Sequence, residues 1–419
     1  MQMADLKLRM LNWANQFSIL VFLDSNNYPS INGRYECLLA VCEQQSMPYD
    51  QCHSLEEVQQ LHDSRKDWLF GHINYDYKNI IEPSLNTAHG FKTGFPSLHF
   101  FIPSTVCYID CAQATLTIET FANPLAVFNA IMAMEIANNE VRLPKLQFSS
   151  VTDKAFYLAS IAKLRAHILE GDCYEINYCS ERYCSGVAVD PLQVFMALNK
   201  LSPAPFAAYY RLNSSYLMCA SPERYLQKNG DSLLAQPIKG TARRDGDAAA
   251  DEQIKTALKN DLKERAENVM IVDLIRNDLS RSCEVGSVVV NELFGIYTFP
   301  QVHQMISSIS GRLRQDRTFT DAIRFSFPMG SMTGAPKYKV MQLTDKYERA
   351  AREIYSGAVG YITPSGDFDF NVVIRSLMYN AHTQYLSYQT GGAITYDSIA
   401  ENEWEETRLK AWALERLFQ

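Results

Sequence analysis

Two pairs of glutamates have the spacing to hold a cation. Glu264 and Glu267 lie in one predicted helix, and Glu403 and Glu406 lie in another. Side chains three residues apart share a helix face, so each pair presents two carboxylates side by side. Carboxylate oxygens from two helices suit a hard divalent cation, and Mg²⁺ would keep water or substrate oxygens in its other positions. Spacing alone leaves a second interpretation open, because Glu-x-x-Glu is also common on solvated helix faces.

A lysine and a run of small residues are the other candidates for chemistry. Lys239 lies between an apolar residue and a glycine in the segment QPIKGT, residues 236–241. It is either a buried, reactive amine or a surface turn residue. Gly391, Gly392 and Ala393 follow a predicted strand. They either let backbone N–H groups approach an anion or simply form a turn.

Several other chemistries are excluded by the motifs that the sequence lacks. It contains no G-x-G-x-x-G, no G-x-x-x-x-G-K-[ST] and no G-x-S-x-G segment. None of the ten cysteines forms a C-x-x-C pair, so we expect reduced thiols and no zinc site. The net charge of -8 argues against a nucleic-acid partner, which would require clustered positive charge. An anionic substrate remains compatible, since a pocket needs only one or two cations.

The elements that must position these residues are mixed helices and short strands. Apolar residues at Tyr157, Ile161, Leu164 and Ile168 predict a helix that ends at Gly171. Two further helices, about 249–277 and 401–417, carry the glutamate pairs. Helices and strands do not alternate strictly. This favours an α+β fold with large, mostly antiparallel sheets over a doubly wound fold.

The chain divides into two predicted parts. A polar stretch near residues 140–150 separates a β-rich N-terminal subdomain, 1–145, from a catalytic domain, 146–419. The longest early apolar run has seven residues, from Phe17 to Leu23, which is too short to span a bilayer. With no recognisable signal peptide either, we expect a cytoplasmic protein without a membrane partner.

Six ordered segments resemble the chorismate-utilising enzymes, the family of anthranilate synthase component I and of aminodeoxychorismate (para-aminobenzoate) synthase component I. The resemblance covers roughly residues 150–415 and is weak before them, where only GHINYDYK, 71–78, matches. It implies the fold of that family. The segments are GDCYEIN (171–177), SPER (221–224), PIKGT (237–241), ENVMIVDLIRND (267–278), FPMGSMTGAPK (327–337) and EWEET (403–407).

The resemblance implies a role for each candidate residue. Glu267 and Glu406 would hold Mg²⁺, supported by Glu264 and Glu403. Glu223 would be the general acid that helps the 4-hydroxyl of chorismate to leave. Lys239 would be the nucleophile that adds at ring C2. The remaining residues implied to line the substrate pocket are Gly240, Thr241, His303 (grouped with the catalytic residues), Tyr355, Arg375, Gly391, Gly392, Ala393 and Lys410.

Lys239 separates the possible reactions within the family. Aminodeoxychorismate synthases resemble this chain in having lysine at that position, whereas anthranilate synthases usually have alanine. The resemblance therefore implies amination of chorismate at C4, with ammonia supplied by a separate glutamine amidotransferase subunit, as a step toward para-aminobenzoate and folate. No amidotransferase nucleophile segment, Gly-x-Cys-x-Gly, occurs in the chain itself.

Glu175 departs from the pattern of the aminating members, which usually have glutamine there. It is expected to contact the substrate as a hydrogen-bond acceptor, but a carboxylate can also activate water. Isochorismate synthase therefore remains an alternative, as do anthranilate synthase and a non-catalytic chorismate-binding subunit.

Overall fold

The protein folds into two large antiparallel sheets flanked by helices. A computed structural model describes residues 2–28, 33–42, 52–111, 115–136, 143–299 and 302–419. Every strand pair in these ranges is antiparallel, which confirms the predicted α+β class. The strands, in chain order, are β1 Ile19–Asp24, β2 Tyr35–Cys42, β3 Leu69–Ile73, β4 Leu98–Phe101, β5 Thr105–Asp110, β6 Leu116–Thr120, β7 Ser149–Ser150, β8 Glu175–Ser185, β9 Phe206–Leu212, β10 Ser215–Ser221, β11 Arg224–Asn229, β12 Ser232–Gln236, β13 Ile238–Arg243, β14 Val289–Thr298, β15 Val302–Arg312, β16 Gly334–Ala335, β17 Ala358–Ile362, β18 Phe368–Asn371, β19 Ser376–Asn380 and β20 Tyr385–Ile394.

Eleven α-helices lie in the described ranges. Capping residues mark several of their ends. The helices are α1 Met3–Ala14, α2 Leu55–Arg65, α3 Lys78–Ile81, α4 Pro124–Met132, α5 Lys154–Leu169, α6 Pro191–Leu201, α7 Ala248–Asn260, α8 Leu262–Ser280, α9 Phe319–Ser326, α10 Lys337–Tyr347 and α11 Ala400–Arg416.

The two sheets have eleven and nine strands. The larger sheet runs β16-β8-β20-β19-β10-β9-β1-β2-β5-β6, with β7 beside β8. The smaller runs β13-β15-β12-β11-β18-β17-β3-β4, with β14 beside β15. Successive side chains of β1 point to opposite faces of the sheet and so enter two different core clusters. Ile19 and Val21 join a core cluster with residues of both sheets, while Leu20 and Phe22 pack in a second cluster with Trp13 of α1.

The predicted division of the chain at residue 145 stays a prediction. Strands from both sides of it share both sheets: β1 pairs with β9, and β3 pairs with β17. The predicted division therefore does not coincide with the separation between the two sheets. Residues 137–142, which include part of the predicted boundary stretch, lie outside the described residues.

The helices predicted from sequence are present, with one difference. Helix α5 begins after Asp153, whose side chain accepts a hydrogen bond from the backbone of Phe156 at 2.8 Å, and the left-handed Gly171 (φ 84°) follows its end. The single helix expected at about 249–277 is two helices. Asp261 has extended backbone and caps α8 by accepting from Glu264 N at 3.0 Å. No helix within the described ranges is both long and apolar enough to cross a membrane.

Candidate active site

Five elements bring the candidate residues together. Glu175 is the first residue of β8, and Lys239 lies in β13. Helix α8 packs on β13 and carries Glu267, while α11 packs on β20 and carries Glu406. β20 pairs with β8, and the ion pair between Glu175 of β8 and Lys239 of β13 brings the smaller sheet against the larger. The residues that the resemblance implied are thus drawn from both sheets and two helices.

Lys239 is held between carboxylates. Its Nζ lies 2.5 Å from Oε1 of Glu175 and 3.8 Å from Oε2 of Glu267, and its side chain is only 10% exposed. Burial by itself would lower the pKa of Lys239. The negative charges of Glu175 and Glu267, with that of Glu223, outweigh burial and raise the pKa above its ordinary value. In this arrangement Lys239 is an ammonium with a proton acceptor in direct contact.

Glu223 is a buried carboxyl suited to donate a proton. It lies between β10 and β11 and is 4% exposed. Burial raises its pKa to about 7, while hydrogen bonds from Ser331 and from the backbone of Ile238, and the charge of Lys239, oppose the shift. A cavity beside it is lined by Leu279, Met329 and Ser331, among other residues. A carboxyl with this pKa is partly protonated at neutral pH, which general acid catalysis requires.

The two glutamate pairs face each other across Lys263. The ammonium of Lys263 is 3.8 Å from Glu267 and 3.9 Å from Glu403. Burial raises the pKa of Glu267 to about 7 and raises those of Glu264 and Glu403 as well. Glu267 and Glu403 are only 7% and 3% exposed, so these carboxylates are poorly solvated. A set of hard oxygen donors with excess negative charge fits a divalent cation such as Mg²⁺.

Glu406 differs from the other three carboxyls. Burial would raise its pKa, but Lys410 outweighs burial, with Nζ 2.7 Å from the carboxylate, and the pKa of Glu406 is lowered. The structure does not preassemble the four carboxylates. Among the described residues, only His167, Glu170 and Asp172 place three possible ligand atoms within 4.8 Å of one another. That group lies on partly exposed surface, where Asp172 is paired with Lys339.

Arg375 and Tyr355 are the residues that the resemblance implied to bind the enolpyruvyl carboxylate. Arg375 has left-handed backbone (φ 51°), and burial lowers its pKa, opposed by the charge of Glu223. Tyr355, another residue implied to bind the substrate, is 3% exposed, and burial raises its pKa well above its ordinary value. Arg375 is thus a partly buried cation that interacts with the charge of Glu223.

The segment Gly391–Ala393 belongs to a strand rather than a turn. β20 pairs with β19 only as far as Tyr388 but with β8 as far as Ile394. Beyond Tyr388, one edge of β20 therefore has no partner strand among the described residues, and its N–H groups are available to a ligand. Glycine is needed at position 391, where a Cβ would lie 2.5 Å from Sγ of Cys179 and 3.0 Å from the carbonyl oxygen of Tyr178. Lys410 donates to the carbonyl of Gly391 at 2.9 Å.

Gly240 and Thr241 follow Lys239 in β13. Gly240 has φ 83°, and a Cβ there would lie 3.1 Å from both Glu264 and Leu258. A glycine is therefore required where β13 passes under α8. Thr241 lies directly opposite Gln304 of β15.

Both ring nitrogens of His303 have hydrogen-bond partners. Its Nε2 is 2.9 Å from Asp251 of α7, and its Nδ1 is 3.0 Å from Thr298. The catalytic role expected for His303 stays a prediction, and neither nitrogen is free to support it.

Two further residues contact the site without having been singled out from the sequence. Ser331 lies within the segment FPMGSMTGAPK and bonds to Glu223. Lys263 precedes Glu267 by four residues, a spacing that places both on one helix face. The spacing of Lys263 and Glu267 can be read from the sequence, whereas the bond between Ser331 and Glu223 depends on the fold.

Comparison with known proteins places these features in context. Residues 21–416 match the family described as chorismate binding enzyme. Over 251 residues the chain is 40% identical to aminodeoxychorismate synthase component 1 of Salmonella typhimurium, which is 60% of this chain and 55% of that protein. The match therefore spans little more than half the length of this relative.

Two solved structures share the fold. Anthranilate synthase component I of Streptococcus pneumoniae superposes with a TM-score of 0.77 at 23% identity, covering 93% of this chain and 94% of the other. The menaquinone-specific isochorismate synthase MenF of Escherichia coli does so with a TM-score of 0.78 at 18% identity, covering 98% and 91%. The predicted fold of the anthranilate synthase component I type is thereby confirmed.

Proposed function

The chain belongs to the family of chorismate binding enzymes, and we propose that it replaces the 4-hydroxyl of chorismate with an amino group, forming 4-amino-4-deoxychorismate. One observation carries this proposal: Lys239 is buried in contact with Glu175 and Glu267. Glu175 raises the pKa of Lys239 but is also placed to accept its proton, after which the neutral amine can act as a nucleophile. The name of the Salmonella typhimurium relative supports the same reaction.

The reaction begins with loss of a proton from Lys239. Glu175 accepts that proton through the contact at 2.5 Å, which frees the Nζ lone pair. Nζ then forms a bond to ring C2, the ring double bonds shift, and the C4–O bond breaks. Glu223 donates a proton so that the oxygen leaves as water.

Ammonia completes the exchange. It forms a bond to C4, the double bonds shift back, and the bond between Nζ and C2 breaks. The proton held by Glu175 returns to Lys239, and a proton released by the incoming nitrogen restores Glu223. The net change is replacement of hydroxide by an amine, with water as the second product.

Substrate orientation requires a cation at each carboxylate of chorismate. Glu267 and Glu406, assisted by Glu264 and Glu403, would hold Mg²⁺, which supplies positive charge to the ring carboxylate when bound. Arg375 and Tyr355, with the free N–H groups of β20, would bind the enolpyruvyl carboxylate. This division explains how an acidic protein can take an anionic substrate.

The nitrogen source is a separate protein in this proposal. The designation component 1 of the Salmonella typhimurium relative supports a second subunit. We assign that role to a glutamine amidotransferase, working in the cytoplasm and feeding para-aminobenzoate and folate synthesis. Added ammonium salt should replace it in vitro.

The test is a product assay. Purified protein is incubated with chorismate, Mg²⁺ and ammonium at mildly alkaline pH, and aminodeoxychorismate lyase is then added. Ammonium-dependent para-aminobenzoate supports the proposal. Anthranilate in its place would overturn the assignment of C4, and no product at all would overturn the enzymatic role.

Glu175 favours a second candidate reaction, addition of water to give isochorismate. Oε2 of Glu175 is buried without a hydrogen-bond partner among the described residues, so a carboxylate oxygen is available to activate water. Conversion of chorismate to isochorismate without ammonium would support this reaction. Glu175→Gln should then abolish isochorismate formation, and it should also slow amination, since Glu175 accepts the proton of Lys239 in that reaction.

A further inference from the structure

Gln304 is a buried amide that lacks partners. It lies in β15, is 1% exposed, and neither Nε2 nor Oε1 has a hydrogen bond within the described part of the chain. Other buried glutamines are bonded: Nε2 of Gln236 donates to Ser308 at 3.1 Å, and Nε2 of Gln389 donates to the carbonyl of Ala351 at 2.9 Å. An unpaired buried amide is costly to a fold. Each such group in a folded protein calls for an explanation, and a ligand that supplies the missing partner is one.

The strand register decides where this amide points. Gln304 lies directly opposite Thr241 of β13, and opposed residues of an antiparallel pair project from the same face. The neighbouring residue, His303, projects from the other face, where it bonds to Asp251 of α7. Gln304 therefore shares a face with Thr241, immediately beyond Lys239 and Gly240.

The same ladder relates Gln304 to Glu223. Ile306 is two residues from Gln304 on the same face and pairs with Ile238. The backbone N–H of Ile238 donates to the carboxyl of Glu223. Two residues of a strand span about 7 Å, which is close to the width of a six-membered ring with its substituents. The amide therefore lies one ladder step along the sheet from the residue whose N–H bonds to Glu223.

The chemistry of the amide selects one group of the substrate. A carboxamide offers both a donor and an acceptor, and a hydroxyl can satisfy both at once. A carboxylate can only accept, so it would leave Oε1 unpaired. Building on the proposed function, we infer that Gln304 binds the 4-hydroxyl of chorismate and holds it toward Glu223. It neither gives nor takes a proton, so its role is to bind and orient the leaving group.

The test compares two ligands in two proteins. Wild type and Gln304→Leu are titrated with chorismate and with its analogue bearing hydrogen in place of the 4-hydroxyl, using isothermal calorimetry. We expect the variant to bind chorismate about tenfold more weakly, the loss of one or two hydrogen bonds. Its affinity for the deoxy analogue should stay within about twofold of wild type. Equal losses for both ligands, or none for either, would overturn the inference.

Melting temperatures and a variant of a neighbouring residue distinguish loss of a ligand contact from damage to the fold. Because Gln304 has no partner to lose, Gln304→Leu should melt at or above the wild-type temperature. Ser308→Ala, on the same strand face but bonded to Gln236, should melt lower and bind chorismate normally. Gln304→Met repeats the ligand comparison with an unbranched side chain. If wild type itself bound no chorismate, the proposed function would fail, a pattern distinct from normal binding by both proteins.

Discussion

Replacing Glu223 with glutamine should stabilise the protein at alkaline pH while it slows turnover. The pKa of this carboxyl rises from 4.5 to about 7 on folding, chiefly because it is buried. A difference of that size corresponds to about 3 kcal/mol of free energy of unfolding. Glutamine keeps the shape and the acceptor for the N–H of Ile238 but cannot ionise.

The direction of the pH effect on the free energy of unfolding depends on whether the folded or the unfolded chain holds the proton. Below pH 4.5 the carboxyl is protonated in both the folded and the unfolded chain, so ionisation costs nothing. Between 4.5 and 7 the unfolded chain releases its proton first, and the free energy of unfolding falls as the pH rises. Above pH 7 the loss is complete. Glu223→Gln should therefore gain about 3 kcal/mol over wild type at pH 8 but only about 1 kcal/mol at pH 5.

Urea denaturation at the two pH values measures the stability change, and steady-state amination with ammonium measures turnover. The change in advantage between pH 8 and pH 5, about 2 kcal/mol, is the diagnostic quantity, since altered hydrogen bonds contribute equally at both. Turnover should fall by about 10²–10⁴, the usual contribution of a general acid.

Glu353→Gln is a matched control. Glu353 is 2% exposed, and burial raises its pKa to about 7, but its carboxylate accepts from Lys92 and Thr93 rather than facing the site. Glu353→Gln should show the same pH-dependent gain in free energy of unfolding as Glu223→Gln and keep wild-type turnover. An equal advantage of Glu223→Gln at pH 5 and pH 8 would refute the raised pKa, and unchanged turnover would refute the role as acid.

The other predictions concern the contacts around Lys239. Lys239→Ala should abolish amination and, by leaving Glu175 buried without its partner, cost about 3–5 kcal/mol in urea denaturation; normal turnover would rule out the covalent step. Glu267→Gln should weaken Mg²⁺ binding at least about tenfold, measured as the metal-induced rise in melting temperature without substrate; an unchanged Mg²⁺ response would place the metal elsewhere. Gly240→Ala should cost about 1–2 kcal/mol because φ is 83°, and a neutral effect on urea unfolding would contradict the required left-handed backbone.

Features governed by neighbours along the chain were predictable. The buried face of α5, with Tyr157, Ile161 and Leu164, follows from a period of 3.6 residues, and Gly171 ends it by its own conformational freedom. The pairing of Glu264 with Glu267 on one face of a helix follows from the same geometry. The break at Asp261 was missed because an internal capping aspartate looks like any other polar helix residue in an apolar pattern.

Contacts between distant segments were not predictable from the residues alone. Glu175 and Lys239 are 64 residues apart, and their ion pair requires β8 of one sheet to meet β13 of the other. The free edge of β20 exists only because β19 begins no earlier than Ser376, which no property of Gly391 or Gly392 reveals.

The adjacent residues His303 and Gln304 show the limit most directly. The family segments, the helix faces and the two-residue alternation of the strands can all be read from the sequence, because these depend on spacing within a few residues. That alternation requires one of the two side chains to face Thr241 and the other to face α7. Which of the two faces Thr241 depends on the fold, because the register between β13 and β15 shifts by an extra residue between Ile238 and Thr241, and a one-residue shift exchanges the faces of a strand.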